Sequence, residues 1–484
     1  MRNNHSPSWS MPAMALGLGL GMLTGCTPGP AYVRPTVAVP GHFKEAGATA
    51  PTSDKATPGW LPAQPDDAGG RGAWWSLFGD PVLSDLEAKV NVDNQTIIKS
   101  MANLAQAKAL VGTAKASYSP TVTAGVAADR NHTSQNVVGR SLAGKTVSDY
   151  GAGVDVSWEL DLFHRIGYQV DAANARYQAS EADLASVRLA MQAELAIDYV
   201  DLRELDTEAA LLTQTVTDYT SARTLVQTRF DGGIAAASDV EQAETQLQVA
   251  KAKLTDLQAS RALREHAIAV LIGVPPAQLD LSPSTAALAL PTVPAGVPSM
   301  LLQRRPDIAA AERRVAAANA DIGEATAAFY PDLTLSATGG FESSTFAQLA
   351  SLPSRFWAIG PALVGTLFDG GRHTQELNVA KAKADAATAD YRQTVLTAFQ
   401  DVEDNLASLR VLADEQATQQ RAVDASMRAA QLAMVRYQAG ATDYLEVVST
   451  QSVSLTQQVA LAELSTRQRE ADVRLIKALG GGLN

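Results

Sequence analysis

Few residues in this 484-residue chain have a type and spacing that could do chemistry. Its single cysteine, Cys26, has no second thiol with which to form a disulfide. The histidines (His5, His42, His132, His164, His266 and His373) are scattered, with no metal-ligand spacing. No G-x-S-x-G or H-E-x-x-H pattern occurs. The one string of Walker form, Gly139-Arg140-Ser141-Leu142-Ala143-Gly144-Lys145-Thr146, lies in a polar loop leading into an alternating strand and not between a strand and a helix. The sequence therefore argues against an enzyme and offers no cofactor or metal site. Any work it takes part in must draw energy from a partner. A formal net charge of −12 makes nucleic acid an unsuitable partner. What remains are carboxylates beside two helix breaks. Asp239 and Asp443 are expected in the first turn of a returning helix, where negative charge suits the helix dipole.

Cys26 is informative for where it stands. An apolar run from Met11 to Leu23, with Arg2 ahead of it, is too short to span a bilayer and fits a secretory leader. Leu23-Thr24-Gly25-Cys26 resembles the bacterial lipobox. That resemblance implies a signal peptide over 1–25, cleavage before Cys26 and a diacylglyceryl group on its sulfur. Thr27, rather than an acid, implies export to the outer membrane. Acyl chains anchor a protein by about 0.8 kcal/mol per buried methylene. Cys26 is read as a lipid anchor and not as a catalyst.

The element that organises the chain is a repeat. Arg165 falls on Arg372, and the same offset carries Ala173 onto Ala380, Leu202 onto Leu409, Val216 onto Val423 and Gly273 onto Gly480 without a gap. Each copy reads as a very long helix, a break and a shorter returning helix. Between Arg372 and Tyr437 there is no Pro or Gly, and Ala, Leu, Gln, Glu and Arg dominate. Val395, Val402, Leu409, then Gln416, then Val423, Ala430 and Tyr437 keep a period of seven, the pattern of helices packed side by side. A helix of that span is about 100 Å long. Asp231-Gly232-Gly233 and Gln438-Ala439-Gly440 supply the breaks.

Around the repeat, residues 26–72 are rich in Pro, Gly, Ala and Thr and read as an extended, surface-laid segment. Trp74-Trp75 and Phe78-Gly79-Asp80-Pro81 open a helix expected to run to about Ser119. The first repeat spans 73–273 and the second 301–480, with a Pro-rich connector at 274–300 and a tail at 481–484. Each repeat carries a β-hairpin, at about 120–162 and about 331–369. In the first, Tyr150, Ala152, Val154, Val156, Trp158 and Leu160 alternate with Gly151, Gly153, Asp155, Ser157 and Glu159. The second has a strand at Leu333–Ala337 and another around Trp357–Phe368, preceding a tight turn at Gly370-Gly371. Arg165 and Arg372 follow the strands, where a membrane interface would suit them.

Apolar-out and polar-in alternation is the pattern of a transmembrane β-barrel, whose interior is wet. Four strands cannot close, and lipid tolerates no open sheet edge. The smallest known barrels have about eight strands. The wall must then be shared between chains, as a dimer, a trimer or a tetramer.

Leu302-Gln303-Arg304-Arg305-Pro306-Asp307-Ile308, Phe329-Tyr330-Pro331, Leu367-Phe368-Asp369-Gly370-Gly371-Arg372 and Arg436-Tyr437-Gln438-Ala439-Gly440 resemble the TolC-like outer-membrane factors. With Cys26, the chain is similar to the lipoprotein branch serving resistance-nodulation-division efflux pumps. The resemblance implies a mainly α fold with a small membrane β part. It implies a homotrimer whose 12-stranded β-barrel continues into a 12-helix α-barrel in the periplasm. A periplasmic adaptor and an inner-membrane transporter are the implied partners, with outer-membrane lipid around the barrel.

Carried over by position, the resemblance makes Tyr437 an aromatic that tethers the closed periplasmic tip, and Asp239 an acid that helps hold it. Thr442 stands where some members have an arginine partner for that acid, which weakens the tether; Asp443 is the substitute offered here. Leu445 matches an apolar ring. Ser449 matches a ring often made of Asp, a departure that Glu446, one turn earlier, could offset. Three carboxylates around a narrow pore would attract cations and raise one another's pKa. The nine methionines form no dense cluster, which argues against a copper-dedicated channel. Two other readings stand beside drug efflux: a duct for type I protein secretion, and a periplasmic coiled-coil lipoprotein with no pore.

Overall fold

The computed structural model describes residues 27–46, 59–62, 72–136, 139, 141–291 and 302–481. Cys26 and the leader lie outside the described residues. The fold is mainly helical with some strands. In order, the elements are β1 (Thr36–Val39), β2 (Gly59–Pro62), α1 (Pro81–Asp93), α2 (Gln95–Ala116), β3 (Thr121–His132) and β4 (Thr146–Leu160). Then come α3 (Arg165–Asp231), α4 (Ala237–Leu271), α5 (Pro306–Ala327), β5 (Asp332–Ser343), β6 (Arg355–Val364), α6 (Arg372–Gln438) and α7 (Tyr444–Ala478). Helices α3 and α6 each have 67 residues, and α4 and α7 each have 35.

The chain divides into two compact units. One holds residues 27–34, Ala105–Ala179 and Glu312–Asp390, and is built around a four-stranded antiparallel sheet in the order β3-β4-β5-β6. The two hairpins are thus joined into one sheet through β4 and β5. Register puts Val122 against Val156, Val156 against Ala337, and Ala337 against Ile359. Directly paired residues share a face. Hence one face carries Val122, Val126, Val154, Trp158, Leu335, Phe341, Trp357 and Leu363. The other carries Thr123, Asp155 and Thr338, which are also aligned in register. Gly340 lies so close to β4 that a Cβ there would meet the Ala152 carbonyl oxygen at 2.2 Å. Only glycine permits that approach. Both outer strands are exposed almost throughout. The first hairpin's leading strand runs to His132, beyond the alternating stretch visible in sequence. Strand β6 ends at Val364, short of the expected Phe368.

Helices α3 and α6 begin with carboxylate caps. Asp161 accepts the backbone N–H groups of Ile166 and Gly167 at 3.0 and 2.8 Å. Asp369 accepts those of Gly371 and His373 at 2.8 and 2.9 Å. Gly370 and Gly371 adopt φ of 66° and 89°, as the tight turn requires. The repeat offset places His164 where Gly371 stands, and His164 also takes a left-handed φ of 63°. Arg165 pairs with Glu159 at 2.5 Å and with Asp332 at 3.7 Å, and Arg372 pairs with Glu376 at 3.1 Å.

The second unit holds Pro35–Leu104, Ser180–Ala311 and Tyr391–Asn484. Its core gathers Trp74, Phe78, Leu83, Leu86, Val90 and Ile97 against Leu195, Tyr199, Leu202, Ile268 and Ile476. The single helix expected from Pro81 to about Ser119 is two helices, broken at Asn94. The Asn94 side chain accepts the N–H groups of Thr96 and Ile97 at 2.9 and 3.1 Å and donates to the Leu271 carbonyl at 2.7 Å. That cap starts a new helix and ties it to α4. The described part of the N-terminal segment is more ordered than its composition implies. β1 pairs with β2, Val37, Val39 and Phe43 are buried, and Glu403 accepts the N–H groups of Lys44 and Glu45.

The connector over 274–291 has one short 3-10 turn, at Pro276–Gln278, and is held by Asp206. This carboxylate is fully buried. It accepts from Arg203 at 2.8 Å, from Arg261 at 2.7 Å and from the Ser284 N–H at 2.9 Å. Arg203 also donates to the Ser282 carbonyl, and Arg261 to that of Leu281. None of these contacts was visible in sequence.

Candidate functional site at the helix-pair turns

Sequence places the candidate residues around two turns, α3 to α4 and α6 to α7, both within the helical unit. The α6 turn ends on Gly440, with φ of 73°, and the α3 turn on Gly233, with φ of 74°. Asp443 is the N-cap of α7, one position before the expected first turn, and accepts the Glu446 N–H at 3.2 Å. Its carboxylate is therefore engaged in starting the helix.

Glu446 is half-buried and pairs with Arg436 at 3.0 Å. It also accepts from the Thr442 hydroxyl. Within this chain the carboxylate is neutralised by a cation ten residues earlier. Leu445 and Ser449 are both exposed and, four residues apart, share one face of α7. Val453 continues that face and is 50% exposed.

Tyr437 is buried in a cluster with Val226, Ala243, Ala433, Tyr444 and Val447. Its ring meets Tyr444 edge-on at 5.2 Å, and its hydroxyl is buried with no hydrogen-bond partner among the described residues. Asp239, in the first turn of α4, is half-buried. Its charge is near enough to raise the pKa of Tyr437, after the larger effect of burial. Sequence reasoning missed Arg229, in the last turn of α3. The Arg229 guanidinium lies 4.7 Å from the centre of the Tyr437 ring and donates to the Tyr437 and Gln438 carbonyls at 2.9 and 3.2 Å.

A second group of carboxylates lies along α3 and α7. Burial raises the pKa of Asp201, with a hydrogen bond to Glu470 adding to it. Burial, then repulsion from Glu463, pushes Glu204 up to about 7. Among the described residues no group of three or more His, Cys, Asp or Glu side chains could hold a metal ion. No described helix is long and apolar enough to cross a membrane.

The pattern of the family described as outer membrane efflux protein matches residues 89–274 and again 297–481, once per repeat. The chain belongs to the outer membrane efflux protein family. Among its relatives in that family is outer membrane protein OprJ of Pseudomonas aeruginosa, 30% identical over 98% of this chain and 96% of OprJ. The toluene efflux pump outer membrane protein TtgC of Pseudomonas putida is 31% identical over 97% of this chain and 95% of TtgC. Among solved structures, the outer-membrane channel OprN superposes with a TM-score of 0.84 at 32% identity. That match covers 95% of this chain and 100% of OprN. The mainly helical architecture with a small sheet is thus an outer membrane efflux protein architecture.

Proposed function

We propose that this chain is the outer-membrane exit channel of a tripartite efflux pump, conducting drugs or other small molecules passively to the exterior. The observation that carries the reading is the four-stranded sheet. One of its faces is apolar, the other holds Asp155 between Thr123 and Thr338, and among the described residues each edge strand, β3 and β6, pairs on one side only. Such a sheet suits lipid on one side and water on the other, and needs further copies to close it.

A homotrimer gives a 12-stranded β-barrel continuous with a 12-helix α-barrel. The repeat supports shared walls in the helices too. Its offset places Val411 where Glu204 stands, and Leu263 where Glu470 would stand. Glu204 and Glu470 sit at a packed α3–α7 face, whereas Val411 and Leu263 are 51% and 69% exposed. Exposed apolar residues at positions equivalent to a packed seam suit a contact with another copy.

In this reading Cys26 carries the lipid anchor, and the helices reach into the periplasm toward an adaptor and a resistance-nodulation-division transporter. With no catalytic constellation, the duct selects little, and substrate range belongs to the pump. Tyr437 and Asp239 hold the periplasmic tip closed, with Leu445 and Ser449 facing the pore and Glu446 next to them. Tyr437→Ala and Asp239→Ala are each expected to raise single-channel conductance in planar bilayers. Unchanged conductance in both removes them from the gate. The function itself is tested by drug accumulation in a deletion strain whose pump genes are intact. Accumulation restored to low levels by this chain supports the reading, and accumulation that stays high defeats it.

A further inference from the structure

Arg229 has a repeat-equivalent, Arg436, and the two behave differently. Arg436 pairs at 3.0 Å with Glu446, across its own turn. The residue equivalent to Glu446 is Asp239, yet Arg229 reaches away from its own turn to the end of α6. There it stacks on the Tyr437 ring and donates to two carbonyls of the last helical turn. Its second terminal nitrogen lies 4.0 Å from where a Cβ on Gly440 would stand, so the guanidinium rests against the turn itself.

We propose that Arg229 is a positioning residue for the gate, clamping the first helix pair to the second within one chain by gripping the C-terminus of α6. The proposal rests on the reading of Tyr437 as a gate residue. The chemistry suits a clamp. The last carbonyls of a helix have no intrahelical donor, and a planar cation satisfies them while complementing the negative end of the dipole. The same planar fork can lie over an aromatic face, which an ammonium does less well. The buried Tyr437 hydroxyl has no hydrogen-bond partner among the described residues, so the ring and not the hydroxyl is what the clamp uses.

The Tyr437 carbonyl accepts from both Arg229 and the Gly440 N–H, the latter at 2.9 Å, which gives a local reporter. Hydrogen exchange over residues 438–441 and single-channel conductance in planar bilayers are measured together on the full-length protein. Arg229→Ala is expected to speed exchange in that turn and to raise the open-state population about threefold, as loss of a modest cation–π contact would. Arg229→Lys should fall between the two, Tyr437→Phe should match the parent protein, and Arg229→Ala combined with Tyr437→Leu should exceed neither single change. Conductance raised by Tyr437→Ala but not by Arg229→Ala overturns the clamp and leaves the gate reading standing. Faster exchange with conductance unmoved by either change overturns both. Exchange unchanged in Arg229→Ala overturns the clamp at its source, and Arg229→Lys tests it again if the alanine variant does not fold.

Discussion

Asp206→Ala is expected to lower the stability of the helical unit by about 3–5 kcal/mol, the usual cost of removing one partner from a buried ion pair. The Asp206 side chain is fully buried, and its charge faces Arg203, of which 8% is exposed, and Arg261, of which 18% is exposed. Without Asp206 both guanidiniums keep their carbonyl contacts, and Arg261 keeps its ion pair with Glu265 at 2.8 Å, but the more deeply buried Arg203 loses its carboxylate partner. The Ser284 N–H loses its acceptor as well, so the connector over 274–291 should loosen first. Thermal unfolding in detergent should show the fall, and limited proteolysis should show earlier cleavage within the connector. Asp206→Asn, which keeps a hydrogen-bonding oxygen without the charge, should lie between. An unchanged midpoint in the alanine variant would show the network to be dispensable.

Glu87→Gln is expected to stabilise the protein at neutral and alkaline pH. Glu87 is wholly buried in α1, its two oxygens have no hydrogen-bond partner among the described residues, and burial pushes its pKa up to about 9. The folded state therefore holds the proton, while the unfolded chain releases it near the ordinary value of 4.5. Stability is unaffected below that ordinary value, and it falls as pH rises from there through the folded value. At about 1.4 kcal/mol per unit, the loss at pH 7 is about 3 kcal/mol. Glutamine occupies similar volume without a titrating proton. The variant's unfolding midpoint should exceed the parent's by more at pH 8 than at pH 5. Equal midpoints at both pH values would mean that Glu87 finds a compensating charge.

Much of the fold was legible because its signals are local. The heptad spacing from Val395 to Tyr437, the Gly440 break and the alternation from Tyr150 to Leu160 depend on neighbours in sequence. The repeat located the two helix breaks, while the candidate residues beside them came from the resemblance to the TolC-like outer-membrane factors, position by position. What escaped notice depends on partners far along the chain. Asn94 breaks a helix because Leu271, 177 residues later, offers it a carbonyl. Asp206 has an alanine, Ala413, at the equivalent position in the second copy, so the repeat gave no hint of it. Arg229 and Arg436 occupy matching positions but find different partners, which no periodicity could reveal. Val37, Val39 and Phe43 sit in a segment whose Pro-rich composition hid their burial.

The central claim is that one chain supplies part of a wall and several copies supply the whole. Native mass spectrometry of the protein released from detergent micelles tests it most directly. The account predicts a particle with the mass of three chains, and a particle with the mass of one chain would contradict it.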